Sequence, residues 1–255
     1  TLGIDHACAL RADGTVLCWG GNRLGQIGNG ASGGIRSPTP VLGFEPDSGV
    51  VSISAGNEHT CAVKSDQSVY CWGSNGNHQI GDGTAINRTV QTPVRTLGIG
   101  SGAVRVSAGF GYTCVVRDDG AILCWGANWF GQLGNGTTTP APLPNYVIDP
   151  SIGALEMSGL YGHTCARTEA GVVCWGSNNS GELGDGTSID RSFPVLALGG
   201  NIDAVATGVG HSCARKSEGA VVCWGRNFAG QLGNGTHADS LTPQVVNLGG
   251  SGFLD

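Results

Sequence analysis

Apolar and polar residues trade places along the chain over runs of only five or six positions, and each run is cut off by turn residues. Val50-Val51-Ser52-Ile53-Ser54 and His59 to Val63 read as two short strands separated by a Gly-Asn-Glu turn. The turn Lys64-Ser65-Asp66-Gln67 reverses the chain into a third strand, Ser68 to Trp72. A glycine-rich loop then leads to Thr92-Pro93-Val94, a short run whose proline suits an edge strand. Composition points the same way: Gly 46 and Pro 10 in 255 residues are about 22% of the chain, against a usual share of roughly 12%, so long helices are disfavoured. A hydrophobic content of 40% is enough to build a core.

The same pattern returns five times. Segments beginning at Cys8, Cys61, Cys114, Cys165 and Cys213 read alike, and the marker tryptophans Trp19, Trp72, Trp125, Trp175 and Trp224 are 53, 53, 50 and 49 residues apart. That period fits four-stranded propeller blades. A sheet of this size cannot bury both faces alone, so the units must stack around an axis, with the tryptophan and the Leu/Ile of a Gly-Gln-(Leu/Ile)-Gly run packing between neighbours. The expectation is an all-β single-domain β-propeller over residues 1–255, with units at about 1–47, 48–100, 101–150, 151–200 and 201–255. Ser251 to Asp255 matches the start of an inner strand and Thr1-Leu2-Gly3 matches its end. Closure of one blade by strands from both termini, and a cut through a longer array, both account for this.

The run Cys-x-Trp-Gly-x-Asn-x-x-Gly-Gln-Leu-Gly-x-Gly, preceded by Gly-x-x-His-(Ser/Thr)-Cys-Ala, resembles the regulator of chromosome condensation repeat family over almost the whole chain. The resemblance implies a propeller, usually of seven blades, so five units leave open a fragment, a smaller ring, or a ring completed by further repeats or another chain. Within the units, His78 stands where a glycine is usual and Tyr112 stands where the other units have histidine.

The ten cysteines form five pairs, Cys8/Cys18, Cys61/Cys71, Cys114/Cys124, Cys165/Cys174 and Cys213/Cys223, each bracketing one hairpin. Asp13 lies midway between the first two in a turn, so the partners face each other on adjacent antiparallel strands within disulfide range. The fourth pair is one residue closer, which a shorter turn at Thr168 to Gly171 absorbs. Five disulfides imply an oxidising compartment, hence a secreted, periplasmic or cell-surface protein. The competing reading is zinc held by His-x-Cys at His6, His59, His163 and His211. The third unit argues against it, because it has Tyr112 instead and keeps both cysteines. These histidines are expected to bond a neighbouring loop, with no metal and no cofactor.

A net charge of −6, 13% charged residues and scattered arginines give nothing to hold a phosphate backbone, so no nucleic-acid partner is expected. No apolar run approaches the roughly 18 residues of a membrane helix, so no membrane insertion is expected. Matches to Gly-x-Gly-x-x-Gly at Gly28 and to Gly-x-Ser-x-Gly at Gly30 lack the strand-turn-helix context they need and are chance matches in a glycine-rich chain. No catalytic residues are assigned and no enzyme is expected.

In an up-and-down meander the loop between strands one and two and the loop after Trp-Gly share a face, and the variable positions collect there. The candidate binding residues are Phe110, Tyr112, Trp129, Phe130, Tyr161 and Phe228, with Arg23 and Asn77 in equivalent loops. Aromatic anchors in a rigid loop array are typical interface hot spots. The functional expectation is a scaffold that binds a protein or glycan with this face. The alternatives are guanine-nucleotide exchange on a small GTPase, which the resemblance implies through the family's nuclear founder, and a structural repeat module of a larger surface protein.

Overall fold

The computed structural model describes residues 1–247, all in one all-β architecture with a single 3-10 turn at Pro150–Ile152. The first unit has three strands, β1 (His6–Leu10), β2 (Val16–Gly20) and β3 (Ile35–Pro40). The second has β4 (Val50–Ala55), β5 (His59–Lys64), β6 (Val69–Gly73) and β7 (Arg88–Pro93). The third has β8 (Ala103–Ala108), β9 (Tyr112–Arg117), β10 (Ile122–Gly126) and β11 (Ala141–Ile148). The fourth has β12 (Ala154–Gly159), β13 (His163–Thr168), β14 (Gly171–Gly176) and β15 (Arg191–Gly199), and the fifth has β16 (Ile202–Thr207), β17 (His211–Lys216), β18 (Val221–Gly225) and β19 (Ser240–Val245). Each unit is an antiparallel meander in sequence order. The sequence match that would add Ser251 to Asp255 to the first blade falls outside the described residues.

The outer strand is longer than the expected run at residues 92–94, since β7 begins at Arg88 and ends at Pro93. None of its positions is buried, so it carries no apolar alternation from which to read it. In all five units its pairing shifts beside the marker tryptophan. In the second unit the two-residue step from Cys71 to Gly73 faces the four-residue step from Thr92 to Arg88, so the outer ladder skips Trp72. The same irregularity recurs beside Trp19, Trp125, Trp175 and Trp224.

Every hydrophobic cluster is shared by two consecutive units. Ile27, Val41 and Phe44 of the first pack with Trp72 of the second, Ile80 and Leu97 of the second with Trp125 of the third, Leu133 and Ile148 with Trp175, and Leu183 with Trp224. The main chain of one residue then ties each junction. The Gln26 carbonyl accepts the Trp72 indole N–H at 2.9 Å and the Thr60 hydroxyl at 2.9 Å, both from the next unit. The carbonyls of Gln79 and Glu182 do the same for Trp125 with Thr113 and for Trp224 with Ser212. The Gln132 carbonyl accepts the Trp175 indole N–H at 2.9 Å, while the Thr164 hydroxyl stands off at 3.3 Å because its proton goes to the Tyr112 hydroxyl at 2.9 Å. Glycine is required beside the indole: at Gly81, with φ +74°, a Cβ would lie 2.6 Å from Trp125 Nε1.

The histidines complete the junctions, and their partners are strand hydroxyls of the next unit rather than the expected loop. His6, His59 and His163 bond Thr60, Thr113 and Ser212 at 2.9, 2.8 and 2.9 Å. Since each hydroxyl gives its proton to the carbonyl described above, the imidazole must donate from Nε2–H, which leaves Nδ1 bare. Nδ1 of His59 is buried without a hydrogen-bond partner, and Nδ1 of His6, equally without one, lies 3.6 Å from the Asp5 carboxylate. Burial pushes the His59 and His163 imidazoles down to about 3 and about 4, in each case helped by a neighbouring histidine.

The five disulfides join Cys8–Cys18, Cys61–Cys71, Cys114–Cys124, Cys165–Cys174 and Cys213–Cys223 across the hairpins β1–β2, β5–β6, β9–β10, β13–β14 and β17–β18, with Cα separations of 4.1 to 4.2 Å. In the fourth unit Thr168 pairs directly with Gly171, so the hairpin is closed by Glu169-Ala170 alone. No described helix is long and apolar enough to cross a membrane.

Candidate functional site

Two sets of loops are bonded into one face. The residue after each Trp-Gly gives its N–H to the loop before the His/Tyr strand of the same unit: Gly21 to Asp5 O, Ser74 to Glu58 O, Ala127 to Gly111 O, Ser177 to Gly162 O and Arg226 to Gly210 O, at 2.7 to 2.8 Å. One buried asparagine per unit then shapes the longer loop. Asn128 Oδ1 accepts the Leu133 N–H at 2.9 Å while its Nδ2 donates to the carbonyls of Thr137 and Thr139, and Asn22, Asn75, Asn178 and Asn227 occupy the equivalent positions. With the backbone held in this way, the residues between the asparagine and the following Gln or Glu are free to differ from unit to unit.

Those free positions carry Trp129, Phe130 and Phe228, and the shorter loop before the His/Tyr strand carries Phe110 and Tyr161. Trp129 is 51% exposed, Tyr161 44% and Phe228 63%. Phe110 and Tyr161 are in ring contact, with centroids 5.0 Å apart and planes at 49°. Phe130 and Tyr161 line one side of a cavity of about 300 Å³ whose other walls include Ser177, Glu182, Val209 and Arg226. The Arg226 guanidinium lies 4.3 Å over the Phe228 ring, a cation–π contact. Trp129 points into solvent while the adjacent Phe130 is half-buried, as two neighbouring bulky side chains on a tight loop require.

Tyr112 does not belong to this face. It is 1% exposed at the start of β9, where its hydroxyl donates to His163 O at 2.9 Å and accepts from Thr164 at 2.9 Å. It replaces a histidine whose place in the repeat is to cross into the next unit, and burial pushes its phenol well above the usual range. Arg23 is exposed and Asn77 half-buried in the equivalent loops of the first two units, outside the cavity lining.

Sequence reasoning missed Glu182, Arg226 and Val209. The signal for Glu182 was present in the repeat itself, as the one unit with Glu where the other four carry Gln before Leu/Ile-Gly. The Glu182 carboxyl is pushed upward by burial, with the charges of Asp190 and Asp239 adding to the effect and the N–H groups of Glu182 and Ser180 opposing it.

The family model for the RCC1-like domain matches residues 1–254. The chain belongs to the RCC1-like family. Its similarity to the Ultraviolet-B receptor UVR8 of Arabidopsis thaliana is 32% identity over 172 residues, covering 65% of this chain and 38% of the receptor. The E3 ubiquitin-protein ligase HERC2 of mouse is 31% identical over 153 residues, covering 56% of this chain and 3% of the ligase. The chain therefore spans well under half the length of these relatives. Among solved structures, human WBSCR16 superposes with a TM-score of 0.83 at 22% identity, over 95% of this chain and 64% of that one. Prp20p of Saccharomyces cerevisiae, which binds Gsp1p and histones, gives 0.82 at 19% identity, over 95% and 61%. At these identities the RCC1-like propeller fold is what the two structures share with this chain.

Proposed function

We propose that this RCC1-like chain is a non-enzymatic secreted or cell-surface scaffold that recognises a protein through the loop face of its third to fifth units. The observation that carries the reading is the set of exposed aromatic residues Trp129, Tyr161 and Phe228, standing on loops of three consecutive units, with Tyr161 also in the wall of a cavity. Exposed aromatics on a rigid base bind with little loss of side-chain freedom. The five disulfides support an extracellular or periplasmic setting. They also count against a GTPase exchange factor in a reducing compartment, for which family membership is the sole support.

The test is to screen the immobilised chain against arrays of secreted and surface-exposed proteins and of glycans, beside a Trp129→Ala variant. A protein ligand retained by the wild type and lost from an equally stable variant supports the reading. Ligands held equally by both, glycan ligands alone, or a nucleotide-free GTPase as the retained species would overturn it.

A further inference from the structure

The Gln that precedes Leu/Ile-Gly in four of the units has a local structural task. Its Oε1 accepts the N–H two residues earlier: Leu24 for Gln26, Asn77 for Gln79, Phe130 for Gln132 and Ala229 for Gln231, at 2.9 to 3.0 Å. In the fourth unit Glu182 Oε2 does the same for Ser180 at 2.8 Å. One neutral amide oxygen satisfies this turn four times over, so the turn does not call for a charge. Yet the charge sits on a residue only 7% exposed, where a carboxylate loses most of its hydration. The junction bonds ask nothing of this side chain either, because they use the Glu182 main-chain carbonyl.

The surplus charge faces a cavity. Glu182 lines a space of about 300 Å³ formed by the third, fourth and fifth units, at the lower end of the range for ligand pockets, together with Phe130, Tyr161 and Val209. Among the described residues Glu182 has no ion pair within 4 Å, and the guanidinium of Arg226 is engaged over Phe228. A carboxylate in the lining of a pocket that also offers Phe130, Tyr161 and Val209, with polar Ser177 and Asn179 and the already engaged Arg226 in its other walls, matches a cation on an apolar stem.

We propose that this cavity takes a lysine side chain of the protein partner, with the ammonium at the Glu182 carboxylate and the methylene stem against Phe130, Tyr161 and Val209. This rests on the reading of the loop face as a protein-binding surface and names the feature of the partner that it recognises.

The test follows backbone amide shifts of the labelled full chain during titration with N-acetyl-lysine methylamide, and with the uncharged N-acetyl-norleucine methylamide as control. The reporters are the Ser180 and Gly210 amides, which adjoin the carboxylate. Saturable shifts with the lysine probe, none with the norleucine probe, and binding weakened about tenfold or more in Glu182→Gln support the proposal. Glu182→Gln installs the residue that four other units carry at this position, so its fold is not in question. Equal binding of both probes, no saturable shift, or unchanged lysine binding in Glu182→Gln would overturn it. Arg226→Ser, which introduces the residue of Ser74 and Ser177, is expected to bind lysine at least as well as the wild type. Weaker binding in that variant would place recognition on Arg226 and also overturn the proposal. Trp129 lies outside the lining, so Trp129→Ala separates the two readings: partner binding lost with lysine binding kept supports both, partner binding that survives in the variant sinks the face and leaves the pocket, and a wild type that binds a partner through Trp129 but fails the lysine titration keeps the face and sinks the pocket.

Discussion

Mild acid should loosen this propeller through its junction histidines well before its carboxylates titrate. His59 and His163 are held down to about 3 and about 4 by burial, and the unfolded chain protonates the same groups near 6.5. Because the folded values lie below the unfolded ones, the unfolded chain takes up more protons as the pH falls. Stability is therefore full above about pH 6.5 and is lost progressively below it. At pH 4.5 each group is about two pH units below its unfolded value, and at roughly 1.36 kcal/mol per unit the two together cost about 5 kcal/mol. That is a large share of the stability of an ordinary domain. The aspartates Asp82 and Asp185 are held below the usual carboxylate range by hydrogen bonds from Thr84 and Arg88, and from Thr187 and Arg191, so their contribution is lost only in stronger acid. Urea unfolding at fixed temperature between pH 4.5 and 7.5, with disulfides intact and tryptophan fluorescence as signal, reads the slope directly. His59→Gln should remove a clear part of it, less than half because burial also holds His6 and His211 below the ordinary imidazole value, whatever the variant does to stability at pH 7. A flat profile for the wild type, or a full slope in His59→Gln, would refute the reasoning.

Four further outcomes are expected. Glu182→Gln should raise stability at pH 7 by roughly 1 kcal/mol by removing a buried charge. Because the Glu182 carboxyl is raised above its unfolded value, its penalty is absent at low pH, so the gain should shrink as acid is added in parallel urea titrations. Gly81→Ala should cost roughly 2–4 kcal/mol, because the new Cβ meets Trp125 Nε1 at 2.6 Å with φ at +74°. Gly76→Ala, with nothing within 4 Å, should stay within about 0.5 kcal/mol in the same thermal melts. Reduction should lower the melting temperature sharply, since closing each hairpin of about ten residues contributes roughly 3 kcal/mol in the chain-entropy account; an unchanged melt after complete thiol titration would count against that role. Trp129→Ala should leave the melting temperature nearly unchanged, within about 1 kcal/mol of stability, because half of the side chain is already in solvent.

The propeller was legible from the chain because its signals are local and repeated. Paired cysteines around a turn, alternation over five residues and a tryptophan about every fifty residues each restate one hairpin, and β4 to β6 fall within a residue or two of where the alternation puts them. The outer strand β7 was misjudged by four residues at its start, because an exposed edge carries no burial pattern. Tyr112 was misplaced because an aromatic at a loop boundary looks alike whether it points outward or across a junction, and only the neighbouring unit's His163 carbonyl distinguishes the two. The histidines were assigned the right kind of role and the wrong partner, since the hydroxyl each one bonds lies 49 to 54 residues further along the chain. Glu182 was passed over for the opposite reason: its departure from Gln was visible in the sequence, but the cavity that gives it meaning is assembled from three units.

The junction between units has a property that side-chain packing alone would not give it. Its acceptor is a peptide carbonyl and its clearance is a missing Cβ, so this part of what one unit presents to the next is written in main chain and does not depend on which residue supplies it. Gln26 and Glu182 serve equally well. The units share this one joint, and what must still be matched across the seam is the histidine or tyrosine beside it and the apolar contacts of the tryptophan. The side chain at the joint is then free to be recruited for other work, and the loop beside it can diverge without loosening the array.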